Sequence, residues 1–322
     1  KIKQNIKEGD YLFIQFGHND CANGSGYLED RYVPLGTPDA DGVYPSTAGT
    51  KTATPSSLVS KYGDTFYSYD CGGTYKWYLQ QYIDAAKSVG AIPVLVTPVS
   101  RLYYNSDGTI KPHHDSTDKT TGTYVSSNDA YVTAVKQLAS EQNVLLLDGF
   151  AITKSLYEKT YKNDSSAKSG VSQLATQIMA AGDKTHSNKL GGFITAALFA
   201  SKLQDMNLSI SKAVSMPAKT AGINPDGQQI FSINGSSVFT AYAADDNGKY
   251  SAQSEYWTNY GQELIKAIGT KKDELNKTPD PVPDPTPTPD PTPTPNPDPT
   301  PDPSAKATVW VVGDSTVSSF SD

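Results

Sequence analysis

Four stretches of the chain are continuously apolar, rich in β-branched, aromatic or leucine residues, and bounded by turn residues. Asp10–Phe16 (DYLFIQF) lies between Gly9 and Gly17, and Ile92–Thr97 (IPVLVT) is stopped by Pro98. Val144–Asp148 (VLLLD) and Ala307–Val312 (ATVWVV) complete the set. Such runs predict short strands buried on both faces. Tyr75, Tyr78, Leu79, Tyr82, Ile83 and Ala86 recur at spacings of three and four, which predicts an amphipathic helix ending at Gly90. Ser127 can cap a second helix running through Asn143, with Tyr131, Val135 and Leu138 on one face. Further helices are expected near 150–161, 171–181, 188–206 and 255–269. Residues 21–72 show no clear period, and 207–253 are ambiguous apart from a short strand pair around Gln229–Thr240. Strands that alternate with helices, each strand a continuous apolar run, imply a parallel sheet covered on both faces. The expected fold is therefore a three-layer α/β/α domain.

One stretch departs from this pattern. Thirteen of the 22 prolines occupy every second position from Pro279 to Pro303, interleaved mainly with Thr, Asp and Asn. A repeat of this kind favours extended polyproline II, spanning about 80 Å at ~3.1 Å per residue, and it cannot build a core. It divides the chain into a body at 1–277, a linker at 278–304 and a short tail at 305–322.

Composition supports a folded body: 37% of the 322 residues are hydrophobic and 19% charged. The formal charge is −7, but five aspartates of the linker account for most of it and leave only −2 for the rest. A mildly acidic body with no basic cluster argues against nucleic acid and against an anionic membrane surface as partners. No apolar run approaches the length of a membrane span; the longest are Val144–Leu147 and the patch Phe193–Ala200. The two cysteines, Cys21 and Cys71, are compatible with buried free thiols, but an even pair beside a Pro/Thr linker favours one disulfide in an oxidising compartment. The first residue is Lys1, so a signal peptide, if the protein has one, is expected to lie upstream.

Three short motifs fall at strand ends or just before a helix, where α/β enzymes place their chemistry. Gly313-Asp314-Ser315 follows the last strand; a serine leaving a strand at a glycine turn can present its hydroxyl to a cleft and its own N–H to an oxyanion. Gly17-His18-Asn19-Asp20 follows the first strand, where an asparagine amide can also donate to an oxyanion. Asp183-Lys184-Thr185-His186, followed by Ser187, Asn188 and Gly191, spaces a carboxylate so that it can reach Nδ1 of the histidine. Each motif alone is ordinary turn or cap chemistry. Their conjunction with the strand placement is what carries weight.

Together the three motifs resemble those of the SGNH (GDS-type) hydrolases, and specifically the rhamnogalacturonan acetylesterase branch. The loop after the second strand, VLVTPVSR (Val94–Arg101), and the helix within Gly73–Lys87 are similar to that branch as well. The resemblance covers about 2–206 and the last dozen residues, and it implies a flavodoxin-like parallel sheet. It further implies that Ser315 is the nucleophile, His186 its general base and later acid, and Asp183 the group that orients the imidazole. The Ser315 N–H and the Asn19 amide are then oxyanion donors, and ester hydrolysis proceeds through an acyl-serine with no metal and no cofactor. The expected protein is a secreted, extracellular carbohydrate esterase that removes acetyl groups from a plant cell-wall polysaccharide, pectic rhamnogalacturonan foremost. A GDS-type lipase or esterase acting on another acyl ester, and a catalytically incomplete glycan-binding fragment, are the alternatives.

The order of the motifs departs from the family, in which the GDS block comes first. Here it comes last, and the intervening strand, helix and third oxyanion glycine are absent. Two arrangements are consistent with that order. One is a tandem protein in which the tail opens a second esterase domain, favoured by Lys1 without Met and by the end of the chain seven residues past Ser315. The other is a circular permutant in which 307–312 returns to a vacant central slot; the missing segment argues against it, although unpaired backbone groups there would welcome such a strand from this chain or from another copy. His113-His114-Asp115, with Asp118 nearby, reads as a solvated loop rather than a metal cluster. Tyr27, Tyr32, Tyr44, Tyr62, Tyr67 and Tyr69 suit either sugar faces on a cleft rim or self-packing of the long loop.

Overall fold

A computed structural model describes residues 2–20, 33–49, 73–114, 129–162, 167, 172–176, 178–180, 182–214 and 308–313, with 218–223, 229–233 and 236–240. For the last three segments and for 173–174 and 189–190 only the backbone is described. Cys21, Cys71, Ser315, the linker 278–304 and the expected helix at 255–269 lie outside these residues, as do Asp115, Asp118 and the five tyrosines of the long loop other than Tyr44. The chain divides into two compact units, Lys1–Lys154 with Pro301–Asp322, and Ser155–Thr300.

The first unit is built on a parallel sheet. Its strands are β1 (Tyr11–Gln15), β2 (Ile92–Val96), β3 (Leu145–Leu147) and, from the far end of the chain, β7 (Val309–Gly313). The order is β3-β2-β1-β7, every neighbouring pair parallel. All five residues of β1 are buried, so both of its faces are covered, as the uninterrupted apolar run requires. Leu12 and Ile14 pack with Leu79, Ile83 and Ala86 of α1 (Tyr75–Lys87) and with Ala134, Val135 and Leu138 of α2 (Ala130–Glu141). Pro93 is tolerated inside β2 because the Ile92 N–H points to Asp10 on the β1 side. The missing donor at Pro93 therefore faces the other side, where the β3 ladder begins only at Val94.

Of the two arrangements the motif order allows, the circular permutant would place 307–312 in a central slot. Among the described strands β7 instead lies at the sheet edge, paired with β1 alone, with Tyr11 opposite Val309 and Gln15 opposite Gly313. The side chain of Asp10, buried at the start of β1, fastens it: Oδ1 accepts the Thr308 N–H (2.8 Å) and Oδ2 the Trp310 indole N–H (2.9 Å). Burial opposes ionisation of this carboxyl, but the donors from Thr308, Trp310 and Lys7 outweigh it and hold its pKa below the usual range.

Helix α2 begins later than the periodicity suggests. Asp129 precedes it with φ 50°, a left-handed backbone that cannot belong to the helix, and Ser127 lies outside the described residues. α3 (Gly149–Lys162) follows β3.

In the second unit, the helix expected over 171–181 shrinks to α4 (Gln173–Thr176), because Met179 instead bridges to Ser187 in an antiparallel contact. α5 (Lys189–Asp205) matches expectation. The strand pair around Gln229–Thr240 is present as β5 (Gln229–Ile233) and β6 (Ser236–Thr240), and β4 (Ala218–Ile223) adds a third antiparallel strand.

Candidate active site

In the first unit, the chain leaves β1 at Gln15 and turns through Phe16–Asp20. Gly17 has φ +106°, and a Cβ there would lie 2.5 Å from the Tyr75 hydroxyl, so both backbone and space demand glycine. Other side chains pin the turn. Asp20 Oδ2 accepts the Gly17 N–H (2.9 Å), Tyr75 donates to the Phe16 carbonyl (2.7 Å), and Tyr131 donates to the Asp20 carbonyl (3.0 Å). Arg101, carried on the loop after β2, donates from Nη2 to the His18 carbonyl (2.7 Å) and to Asn19 Oδ1 (3.1 Å).

Behind this turn lies a group of buried histidines. His18 and His114 are fully buried, with His114 Nε2 3.3 Å from His18 Nδ1. His113 accepts the Arg101 N–H at Nε2 (2.8 Å), which leaves Nδ1 to carry the proton and donate to the Lys111 carbonyl (2.7 Å). Burial, followed by the neighbouring charges of His114, Arg101 and His113, pushes the His18 pKa well down. Burial and His114 push His113 down to about 3. Asp129 Oδ1 accepts the backbone N–H groups of His113 (3.0 Å) and His114 (3.1 Å).

The expectation of a solvated loop at His113-His114 is therefore corrected. The pair is buried because its rings pack on each other, on His18 and on Phe150. His113, His114 and Asp129 each offer an atom that could face a cation, all within 4.8 Å of one another. His113, however, already uses both ring nitrogens, so ligation would break one of its hydrogen bonds. The cluster serves better as a packed support beneath Arg101.

The second unit holds the Asp183–His186 loop. Asp183 Oδ2 lies 2.7 Å from His186 Nδ1, while its Oδ1 accepts the backbone N–H groups of Thr185 (2.6 Å) and His186 (3.1 Å). Burial opposes ionisation of Asp183, but the His186 ring and these two N–H groups prevail and lower its pKa. The His186 side chain remains 39% exposed. This arrangement fixes the tautomer: with Nδ1–H given to the carboxylate, Nε2 is the basic nitrogen.

The loop is locked at its base. Asn188 caps α5 by accepting the Gly191 N–H (2.9 Å), and its amide donates to the Met179 carbonyl (3.1 Å). A Cβ on Gly191 would lie 1.9 Å from the Ile178 carbonyl oxygen, so only glycine allows the helix to start this close to that strand-like segment.

Of the expected site residues, the structure brings Asp183 and His186 together and sets Asn19 in the turn after β1. Gly313, the last described residue of the tail, is paired with Gln15 at the C-terminal edge of the sheet, the edge from which Phe16–Asp20 emerges.

No family model matches the chain. Two curated proteins of Bacillus subtilis strain 168 do. It is 28% identical over 212 residues to the probable rhamnogalacturonan acetylesterase YesY, covering 65% of this chain and 69% of that protein. It is 28% identical over 213 residues to the rhamnogalacturonan acetylesterase RhgT, covering 65% of this chain and 67% of that one. The chain resembles the rhamnogalacturonan acetylesterases. A crystal structure of the Bacillus subtilis protein YxiM aligns over 65% of this chain and 40% of its own length, with 19% identity and a TM-score of 0.37.

Beyond the three expected motifs, the described residues make contacts to which the sequence assigned no role. Arg101, His18, His113, Asp129 and Tyr75 all bear on the turn that carries Asn19. The available signal was the position of Arg101, a lone cation three residues past Pro98 at a strand end. Nothing local connects it with Asn19, 82 residues earlier.

Proposed function

We propose that this chain is a carbohydrate esterase that hydrolyses acetyl esters on plant cell-wall polysaccharide, with pectic rhamnogalacturonan as the substrate class, and that it works outside the cell. The observation that carries the reading is the Asp183–His186 pair, a carboxylate bonded to Nδ1 of a half-exposed histidine. In the proposed reaction, Ser315 Oγ attacks the acetyl carbonyl while His186 Nε2 takes its proton. Asp183 stabilises the imidazolium that forms. The tetrahedral oxyanion is held by the Ser315 N–H and the Asn19 amide. Collapse expels the sugar oxygen, which takes the proton from His186 and leaves as the free hydroxyl. Water, deprotonated by the same histidine, then cleaves the acetyl-serine to acetate and regenerates Ser315. No step calls for a metal or cofactor. The ends of β1 and β7 at one sheet edge support the assignment of Asn19 and Ser315 to one oxyanion site.

Hydrolysis of p-nitrophenyl acetate by wild type, Ser315→Ala and His186→Ala tests this. Activity in the wild type and loss in both variants is the expected result. Undiminished activity in Ser315→Ala overturns the serine assignment, and an inactive wild type favours an incomplete glycan-binding fragment. Acetate release from acetylated pectin, exceeding that from acetylated xylan or a lipid ester, is the expected substrate order.

A further inference from the structure

The guanidinium of Arg101 does more than pack beneath the turn after β1. It is a pure donor and cannot accept a hydrogen bond. Its contact with Asn19 at 3.1 Å therefore admits only one orientation of the amide, with Oδ1 toward Arg101 and Nδ2 turned away. The same Nη2 holds the His18 carbonyl at 2.7 Å, so the backbone before Asn19 and the amide beyond it are fixed by one group. Arg101 is itself held, because its backbone N–H donates to His113 Nε2 at 2.8 Å and the His113 ring is braced by Lys111. A cation bonded to the amide oxygen also draws electron density from the amide, which strengthens its N–H groups as donors.

We infer that Arg101 is a positioning residue that fixes and polarises the Asn19 amide, presenting Nδ2 as a ready-made oxyanion donor. This rests on the proposed role of Asn19, and it adds a requirement that role does not contain. An unrestrained asparagine amide can flip and offer its oxygen to an oxyanion, which is repulsive. Arg101 removes that alternative. Lysine in its place keeps the charge but not the planar fork, and it can satisfy the carbonyl and the amide together only poorly.

The test is a double-mutant cycle on the full chain with p-nitrophenyl acetate, using Arg101→Ala, Asn19→Ala and the pair, together with Arg101→Lys. Asn19→Ala is expected to lower kcat by about 10²-fold or more, as loss of one oxyanion donor does. Arg101→Ala is expected to lower kcat by at least about tenfold with little change in KM, and Arg101→Lys to recover part of that loss. In the Asn19→Ala background, Arg101→Ala should cost no more than about twofold. An equal loss in both backgrounds overturns the inference, because Arg101 would then act other than through Asn19.

A second measurement decides the matter independently of activity. The ¹⁵N relaxation of the Asn19 side-chain amide should show a rigid group in the wild type and a mobile one in Arg101→Ala. An amide equally rigid in both overturns the inference even if the protein proves inactive. Wild-type activity in Asn19→Ala with the predicted change in amide mobility would instead overturn the oxyanion role and leave the positioning intact.

Discussion

Among the described residues the same local device occurs twice, with opposite consequences. Asp129 accepts the backbone N–H groups of His113 and His114 through one oxygen, and Asp183 accepts those of Thr185 and His186 in the same way. In each case the carboxylate also approaches a histidine ring, at 3.5 Å for His114 and 2.7 Å for His186. The first ring is fully buried beside two further histidines and Arg101, while the second is 39% exposed. Proximity to a carboxylate is therefore not what makes a histidine a base. A proton must also be able to enter and leave, and neighbouring groups must not penalise the charged ring. The buried cluster packs beneath a turn and supports it, whereas the second ring is open to solvent.

His186→Ala should separate the two most sharply. Esterase activity should fall on the order of 10⁶-fold, as loss of a triad histidine does, with the melting temperature unchanged within error. His114→Ala should do the reverse and lower the melting temperature, because it empties a buried ring position. A matching loss of stability in His186→Ala would erase the contrast. Asp183→Asn should follow, with kcat lower on the order of 10⁴-fold because the amide favours the wrong tautomer of His186. If Asp183→Asn is as active as wild type, the carboxylate has no orienting role.

Acid should act on the buried cluster before it acts on the carboxylates. His18 and His113 hold their pKa values below those of the unfolded chain, so as pH falls below about 6.5 the unfolded state binds more protons and stability falls, for His113 down to about pH 3. The depressed carboxylates Asp10, Asp129 and Asp183 contribute stability above the unfolded carboxylate pKa, and that contribution is lost only at lower pH, as they protonate through their folded values. Melting temperature measured from pH 8 to pH 4 should decline in the wild type and decline less in His113→Gln. Parallel curves for the two proteins would mean that the cluster does not set the acid response.

Gly191→Ala comes next, at about 1–3 kcal/mol of stability, because its Cβ would overlap the Ile178 carbonyl at the base of the Asp183–His186 loop. Chemical denaturation measures it, and activity should fall with it as Asp183–His186 shifts. The smallest effect is expected for Asp10→Asn, about 1 kcal/mol, since the amide keeps an acceptor for one of the two β7 donors but loses the charge. A change in Trp310 fluorescence is the signature to look for, and an unchanged spectrum would argue that Asp10 does not hold β7.

What the sequence made legible was local. β1, β2 and β7 are continuous apolar runs, and the Asp183–His186 contact spans three residues, so both could be read from neighbours along the chain. The misread features are those that tertiary structure decides. β4 (AKTAGI) carries too little β-branched or aromatic character to announce a strand, and α4 ends early because Met179 finds Ser187 across a bridge. The histidine cluster joins residues 96 apart, and two polar-looking loop histidines become core only because His18 and Phe150 pack on them. The place of β7 at the edge of the described strands was unreadable for the same reason, since no local signal says which strands flank a given strand.

The central proposal is that His186 serves Ser315 as its general base. Labelling with a small fluorophosphonate, followed by mass spectrometry of the modified peptide, tests it directly. The account predicts a single modification on Ser315, slowed by several orders of magnitude in His186→Ala. Modification at another serine, or an equal rate in His186→Ala, would contradict it.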